Sequence, residues 1–226
     1  MKYSNIIFDL DSTLVTIEGL DWIAKRKGVF DKVSEMTKLS MDGTMKIEDI
    51  VVEKLNLIAP NREDLELLGK EYVRNLTLNT KNVIKYLKSK GCEIWIMTGN
   101  YEIVANYIAN ELEISKDNLF FNSINISSNG EFIGIEAENV LNFSDGKKQL
   151  MKKHKKKFNG SSVFIGDSMS DLEAGREANL FIGFGGNIER QKVKELSTVY
   201  ISESNMELIL PHILEDEELR EYMKSK

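Results

Sequence analysis

Asp9 and Asp11 stand two positions apart at the end of the apolar run Ile6-Ile7-Phe8 and are followed by Ser12-Thr13. A second acidic group, Gly166-Asp167-Ser168-Met169-Ser170-Asp171, follows the apolar run Val163-Phe164-Ile165. Between them lie Thr98-Gly99-Asn100, after Cys92 to Met97, and Lys147 or Lys148 near the start of a segment with seven lysines. Taken singly, each has an ordinary structural reading. Acids open turns, Thr, Gly and Asn suit a helix cap, and Ser168 and Asp171 have capping-box spacing. A lysine run is an ordinary solvated helix face, although a cation near a helix start opposes the dipole and hints at a bound anion.

Together the groups suit one chemistry. A phosphate monoester is dianionic near neutral pH and repels a carboxylate nucleophile. A hard divalent cation held by a few oxygens, which describes Mg2+, offsets that repulsion, and Asp9 and Asp167 can supply the oxygens. Thr98, Gly99 and Lys147 can donate to the transferring phosphoryl group. Asp9 is then the nucleophile. Asp11 is a group that protonates the leaving alcohol and later deprotonates water.

The elements needed to position these residues are legible. Tyr3 to Asp11, an apolar segment ending in acids, and Cys92 to Met97, Ser162 to Ile165, Leu180 to Phe184 and Thr198 to Ile201 read as strands separated by helical segments. That alternation predicts an α/β fold with a doubly wound, mainly parallel, Rossmann-like sheet, whose ligands bind beyond the carboxyl ends of the strands. Thr80 is the expected cap of the helix that Gly91 closes, and Tyr101 to Leu112 and Gly146 to Phe158 are expected helices. From Glu18 to Leu76 apolar residues recur at helical spacing, interrupted at Pro60-Asn61, with Asn61 the expected cap of the next helix. This stretch predicts an inserted helical cap over 15–76, with the core formed by 1–14 and 77–226. Alternation around Asn129-Gly130 predicts a small β-hairpin insertion near 121–138. One or two helices are expected after Pro211.

The 226 residues carry a net charge of −6 and a single cysteine, Cys92, so no intrachain disulfide is possible. The acidic balance argues against nucleic acid as partner. No run is long enough to span a membrane, and the first apolar run is too short for a secretion signal, so the expectation is a cytoplasmic protein acting on a small phosphorylated metabolite.

The motif order DxDxT, strand-end Ser/Thr, Lys, GDxxxD resembles the haloacid dehalogenase superfamily. Within it, Asp9 to Val15, Glu18, Leu20 to Ala24, Glu35 to Gly43 and Phe181 to Asn187 are similar to the phosphoserine phosphatase family. The resemblance implies hydrolysis of O-phosphoserine through an aspartyl-phosphate, in serine biosynthesis. It implies Lys147 rather than Lys148 as the motif lysine, Asp9 and Asp167 as side-chain metal ligands, and Asp11 as a ligand through its backbone carbonyl. It further implies Asp171 as an acid supporting the ligands, Ser170 beside the phosphate or substrate, and Glu18 as the acid that binds the substrate ammonium. The chain departs from the family pattern at three positions. Thr98-Gly99-Asn100 stands for the usual Ser-Gly-Gly, Lys54 for the carboxylate-binding arginine, and Ile47 for an aromatic residue. The alternatives are a phosphatase of another small phosphomonoester and a non-catalytic phosphate-binding module.

Overall fold

The computed structural model describes residues 2–158 and 160–225. Its centre is a six-stranded parallel sheet built from β1 (Asn5–Phe8), β2 (Glu93–Tyr101), β3 (Leu119–Asn122), β6 (Ser162–Gly166), β7 (Leu180–Phe184) and β8 (Val199–Ile201). The antiparallel pair β4 (Ile124–Ile126) and β5 (Phe132–Ile135) forms a separate hairpin. The order β3-β2-β1-β6-β7-β8 is doubly wound: the chain steps outward from β1 through β2 to β3, then returns to β6 on the other side of β1. The crevice for a ligand opens where those directions diverge, at the ends of β1, β2 and β6.

Strands buried on both faces need no polar alternation, which is why Asn5–Phe8 and Ser162–Gly166 are buried throughout. Successive side chains still point to opposite faces. Ile6 and Phe8 enter one core with Ile96, Val163 and Ile165, whereas Ile7 enters a second with Trp95, Met97 and Phe164.

The helices are α1 (Gly19–Arg26), α2 (Phe30–Met41), α3 (Ile47–Ile58), α4 (Arg62–Arg74), α5 (Thr80–Ser89), α6 (Glu102–Glu111), α7 (Gly146–Lys153), α8 (Met169–Gly175), α9 (Gln191–Leu196), α10 (Leu210–Ile213) and α11 (Asp216–Lys224). The first four lie between β1 and α5 in the chain, where the apolar spacing predicts helices. Asn61 caps α4 in a full capping box with Asp64. The tip of this helical stretch meets the sheet side at Ser144. Ile47 N–H donates to Ser144 Oγ (2.8 Å), and Ser144 N and Oγ both donate to Glu48 Oε2 (2.9 Å each).

The structure adds one strand and corrects three local expectations. Leu119–Asn122, Leu-Phe-Phe-Asn, is an edge strand that shows no polar alternation to announce it. Asn79, in a left-handed conformation (φ 65°), occupies the cap position of α5, while Thr80 is helical and its buried Oγ1 has no hydrogen-bond partner among the described residues. The second strand runs past Met97 to Tyr101, with an irregular register where Thr98-Gly99-Asn100 lies, so that triplet is a strand end rather than a helix cap. The lysine-rich helix stops at Lys153 instead of Phe158.

Candidate active site

The carboxyl end of β1 remains in the sheet through Asp9, whose N–H donates to Ile165 O (2.9 Å). The chain then turns sharply through Leu10–Leu14, with Ser12 in the left-handed region (φ 53°). Such a backbone persists only where its surroundings hold it. Here Asn187 Nδ2 lies within 3.4 Å of the carbonyls of Ser12, Thr13 and Val15, and Thr77 Oγ1 donates to Thr13 O (2.7 Å). The turn carries Asp9 and Asp11 to the same cleft.

From β6, Gly166 leads into Asp167. A Cβ at Gly166 would lie 2.4 Å from Asp171 Cγ, so only glycine lets Asp171 fold back against the strand end. Asp171 forms the capping box of α8 with Ser168, and its Oδ1 accepts from Lys147 Nζ at 2.6 Å. The same ammonium reaches Asp9 Oδ1 at 2.6 Å. Lys148 instead pairs with Glu173 at the surface, so the ambiguity between the two lysines is resolved by direction along α7.

The remaining expected residues lie around this centre. Thr98 is buried and its Oγ1 accepts from Asn100 N (3.0 Å). Gly99 is open to the cleft, with no described residue beyond its chain neighbours within 4 Å of where a Cβ would sit. Ser170 Oγ is 2.9 Å from Ser168 Oγ. Glu18 precedes α1 without capping it; its Oε1 accepts from Ser12 Oγ (2.7 Å) and Arg190 Nη2 (2.8 Å). Lys54 is 8% exposed, which rules out an ordinary surface lysine. It donates to Thr37 Oγ1 and lies 3.9 Å from Asp21 Oδ1. Leu20, Met41, Ile47, Ile50 and Val51 form the apolar wall above the polar floor.

Sequence reasoning passed over four contributors. Arg190 is buried, with its Nε 2.8 Å from Asp167 Oδ2 and its Nη2 on Glu18. Tyr72 donates to Asp11 Oδ1, and Ser12 donates to Glu18. Asn187, noted only inside a stretch of resemblance, binds the turn after β1. Arg190 follows the Phe181 to Asn187 stretch by three residues, and Tyr72 continues the apolar face of α4 with Leu65 and Leu68, so burial of Tyr72 was legible but neither residue's acidic partner was.

The family model of haloacid dehalogenase-like hydrolases matches residues 3–179. The chain belongs to the haloacid dehalogenase-like hydrolase family. It is 35% identical to the phosphoserine phosphatase of Bos taurus over 199 residues, 88% of each chain. It is also similar in structure to a phosphoserine phosphohydrolase-like protein from Francisella tularensis (TM-score 0.85, 29% identity, 93% of this chain and 100% of that one). A phospho-aspartyl intermediate analogue of a phosphoserine phosphatase matches at a TM-score of 0.80 and 27% identity, over 95% of this chain and 100% of that one.

In this haloacid dehalogenase-like hydrolase the acids Asp9, Asp11, Glu18, Asp167 and Asp171 outnumber the neighbouring cations Lys54, Lys147 and Arg190. Burial, then Asp171, pushes the Asp9 carboxyl well above its ordinary range despite Lys147. Burial pushes Asp167 up to about 6, against the pull of Arg190. Burial, then Asp11 and Asp167, pushes Glu18 up to about 8. Lys147 is raised because Asp171 and Asp9 outweigh the burial that would lower it. Buried oxygens of Asp9, Asp167 and Asp171 lie within 4.8 Å of one another. An all-oxygen donor set with uncompensated negative charge fits a hard divalent cation.

Proposed function

We propose that the protein is a magnesium-dependent phosphoserine phosphatase, releasing serine and phosphate from O-phosphoserine through a phosphoryl group carried on Asp9. The observation that carries this reading is the meeting of Asp9, Asp11 and Lys147 at the floor of a cleft whose walls bear an acid, Glu18, and a cation, Lys54. The floor suits a phosphoryl group and the two charged wall residues suit an amino acid's ammonium and carboxylate. The 35% identity to a phosphoserine phosphatase over most of the chain supports the same substrate.

In this mechanism an Asp9 carboxylate oxygen attacks phosphorus as the bond from phosphorus to the serine oxygen breaks, and Asp11 donates its proton to that oxygen. Asp11, now a carboxylate, takes a proton from water as the water oxygen attacks the same phosphorus. The bond from Asp9 to phosphorus breaks, the carboxylate is restored and phosphate leaves. Thr98, Gly99, Lys147 and Ser170 donate to the phosphoryl oxygens, and Lys147 also holds Asp9. Asp9 and Asp167 by side chain, and Asp11 by its carbonyl, would hold Mg2+, with Asp171 behind them. When bound, the ion offsets the repulsion between phosphate and carboxylates. The helical stretch 15–76 acts as a cap that excludes water from the cleft. We read the protein as a cytoplasmic enzyme of serine biosynthesis acting on a small phosphorylated metabolite.

A second reading changes only the substrate, to another small phosphomonoester. It is favoured by the engagement of Lys54 with Thr37 and Asp21, which leaves less of its charge for a ligand carboxylate. Turnover across a panel of phosphorylated metabolites decides between them. Phosphoserine should lead the panel in kcat/KM, and a clear preference for a substrate without ammonium and carboxylate groups would select the second reading. A non-catalytic phosphate-binding module would turn over none of them.

A further inference from the structure

We infer that Tyr72 and Asn100 are positioning residues that fix Asp11 by its Oδ1 and leave Oδ2 as the atom that carries the transferred proton. The inference rests on the reading of Asp11 as the acid and base of the reaction. Asp11 Oδ1 accepts from Gly19 N (2.7 Å) and from the Tyr72 hydroxyl, and lies 3.4 Å from Asn100 Nδ2. Oδ2 has only Asn100 Nδ2, at 3.2 Å, among the described residues. An oxygen already facing an N–H and an O–H donor has no room for a proton of its own, so a protonated Asp11 carries it on Oδ2.

The donors are themselves held. Asn100 Oδ1 accepts from Tyr101 N (2.8 Å), which fixes the amide with its NH2 group towards Asp11. That NH2 group also donates to the Tyr72 oxygen at 2.8 Å, leaving the phenolic hydrogen to Asp11. Gly19 admits the pair: a Cβ there would lie 2.1 Å from the Tyr72 oxygen and 2.7 Å from Asn100 Nδ2. Tyr72 is fully buried on α4, so the helical stretch supplies the ring from one side and the end of β2 supplies the amide from the other. An acid–base group must hold its geometry to work, and a misplacement of roughly 1 Å can cost on the order of 100-fold.

The test uses leaving groups. A serine alkoxide must be protonated as it departs, whereas p-nitrophenolate departs without help. Tyr72→Phe and Asn100→Ala should each lower kcat/KM for phosphoserine by about 10- to 100-fold. For p-nitrophenyl phosphate the change should stay within roughly threefold, since general-acid assistance is what is lost. Two variants on different elements guard against one of them failing to fold. Equal losses on both substrates, or no loss on either, would overturn the inference. Asp11→Asn run alongside separates the two possible failures. If it discriminates between the substrates while Tyr72→Phe and Asn100→Ala do not, only the positioning role falls. If it does not discriminate, the acid assignment falls and takes the positioning role with it.

Discussion

Arg190 Nη2 lies 2.8 Å from Glu18 Oε1, an ion pair that joins the loop before α9 to the start of α1 with both side chains largely buried. The same guanidinium reaches Asp167 through Nε, so one side chain compensates two acids. Burying a charge is costly unless it is paired, and removing one partner leaves the penalty uncompensated. Arg190→Met should therefore cost about 3–5 kcal/mol by urea denaturation near pH 8. Burial already raises both acids, and losing the guanidinium raises them further. At pH 5 they are protonated in the variant and the cost should shrink. A cost that is the same at both pH values would mean that the guanidinium does not hold Asp167 ionised.

Asp9→Asn should lower turnover by roughly 10⁴-fold or more, because the amide is a poor nucleophile. The fold should survive, with an unchanged circular dichroism spectrum. Since burial and Asp171 make a charged Asp9 unfavourable, the metal-free variant should be at least as stable as the unaltered protein at pH 7. Near-normal activity of this variant would remove Asp9 from the mechanism.

Metal removal should stop activity and Mg2+ should restore it, with Ca2+ restoring it poorly because its looser coordination misplaces the reacting oxygen. The pH dependence has a definite sign. Asp167, at about 6, and Asp9 are raised in the fold, so their contribution to stability is fully present below their ordinary range and is lost as pH rises through the raised values. Mg2+ binds the deprotonated carboxylates. Its effect on Tm should thus be larger at pH 7.5 than at pH 5, and at 100 times Kd it should add about 2.7 kcal/mol. A shift independent of pH would separate the metal from these acids.

Selectivity is expected to depend on the two charged residues of the wall. Glu18→Gln and Lys54→Ala should each lower kcat/KM for phosphoserine by roughly 10- to 150-fold, the loss of one charge-assisted contact. An aryl phosphate, which lacks both partner groups, should change far less. Lys54→Arg is informative because the guanidinium can grip a carboxylate with two parallel bonds. Preserved or improved phosphoserine turnover would support a carboxylate ligand at this position. Burial lowers the Lys54 pKa, and the nearby carboxylates of Asp21 and Glu18 offset that only in part.

The motifs at the strand ends were legible because their chemistry is local. A carboxylate one residue beyond an apolar strand, as at Asp9 and Asp167, lies at the sheet's carboxyl edge in any doubly wound fold. Helical spacing likewise revealed α1 to α4, because each must bury one face. The partnerships were not legible. Whether Lys147 or Lys148 enters the site depends on which way α7 presents each side chain, about 100° apart on the helix. Arg190 and Tyr72 reach the acids from distant parts of the chain, and no periodicity encodes which buried charge a remote guanidinium or hydroxyl will meet. The α/β repeat follows from short-range apolar pattern, and the candidate reacting groups are named from residue chemistry alone. How those groups are paired is set instead by packing between elements that the fold brings together from far apart in the chain.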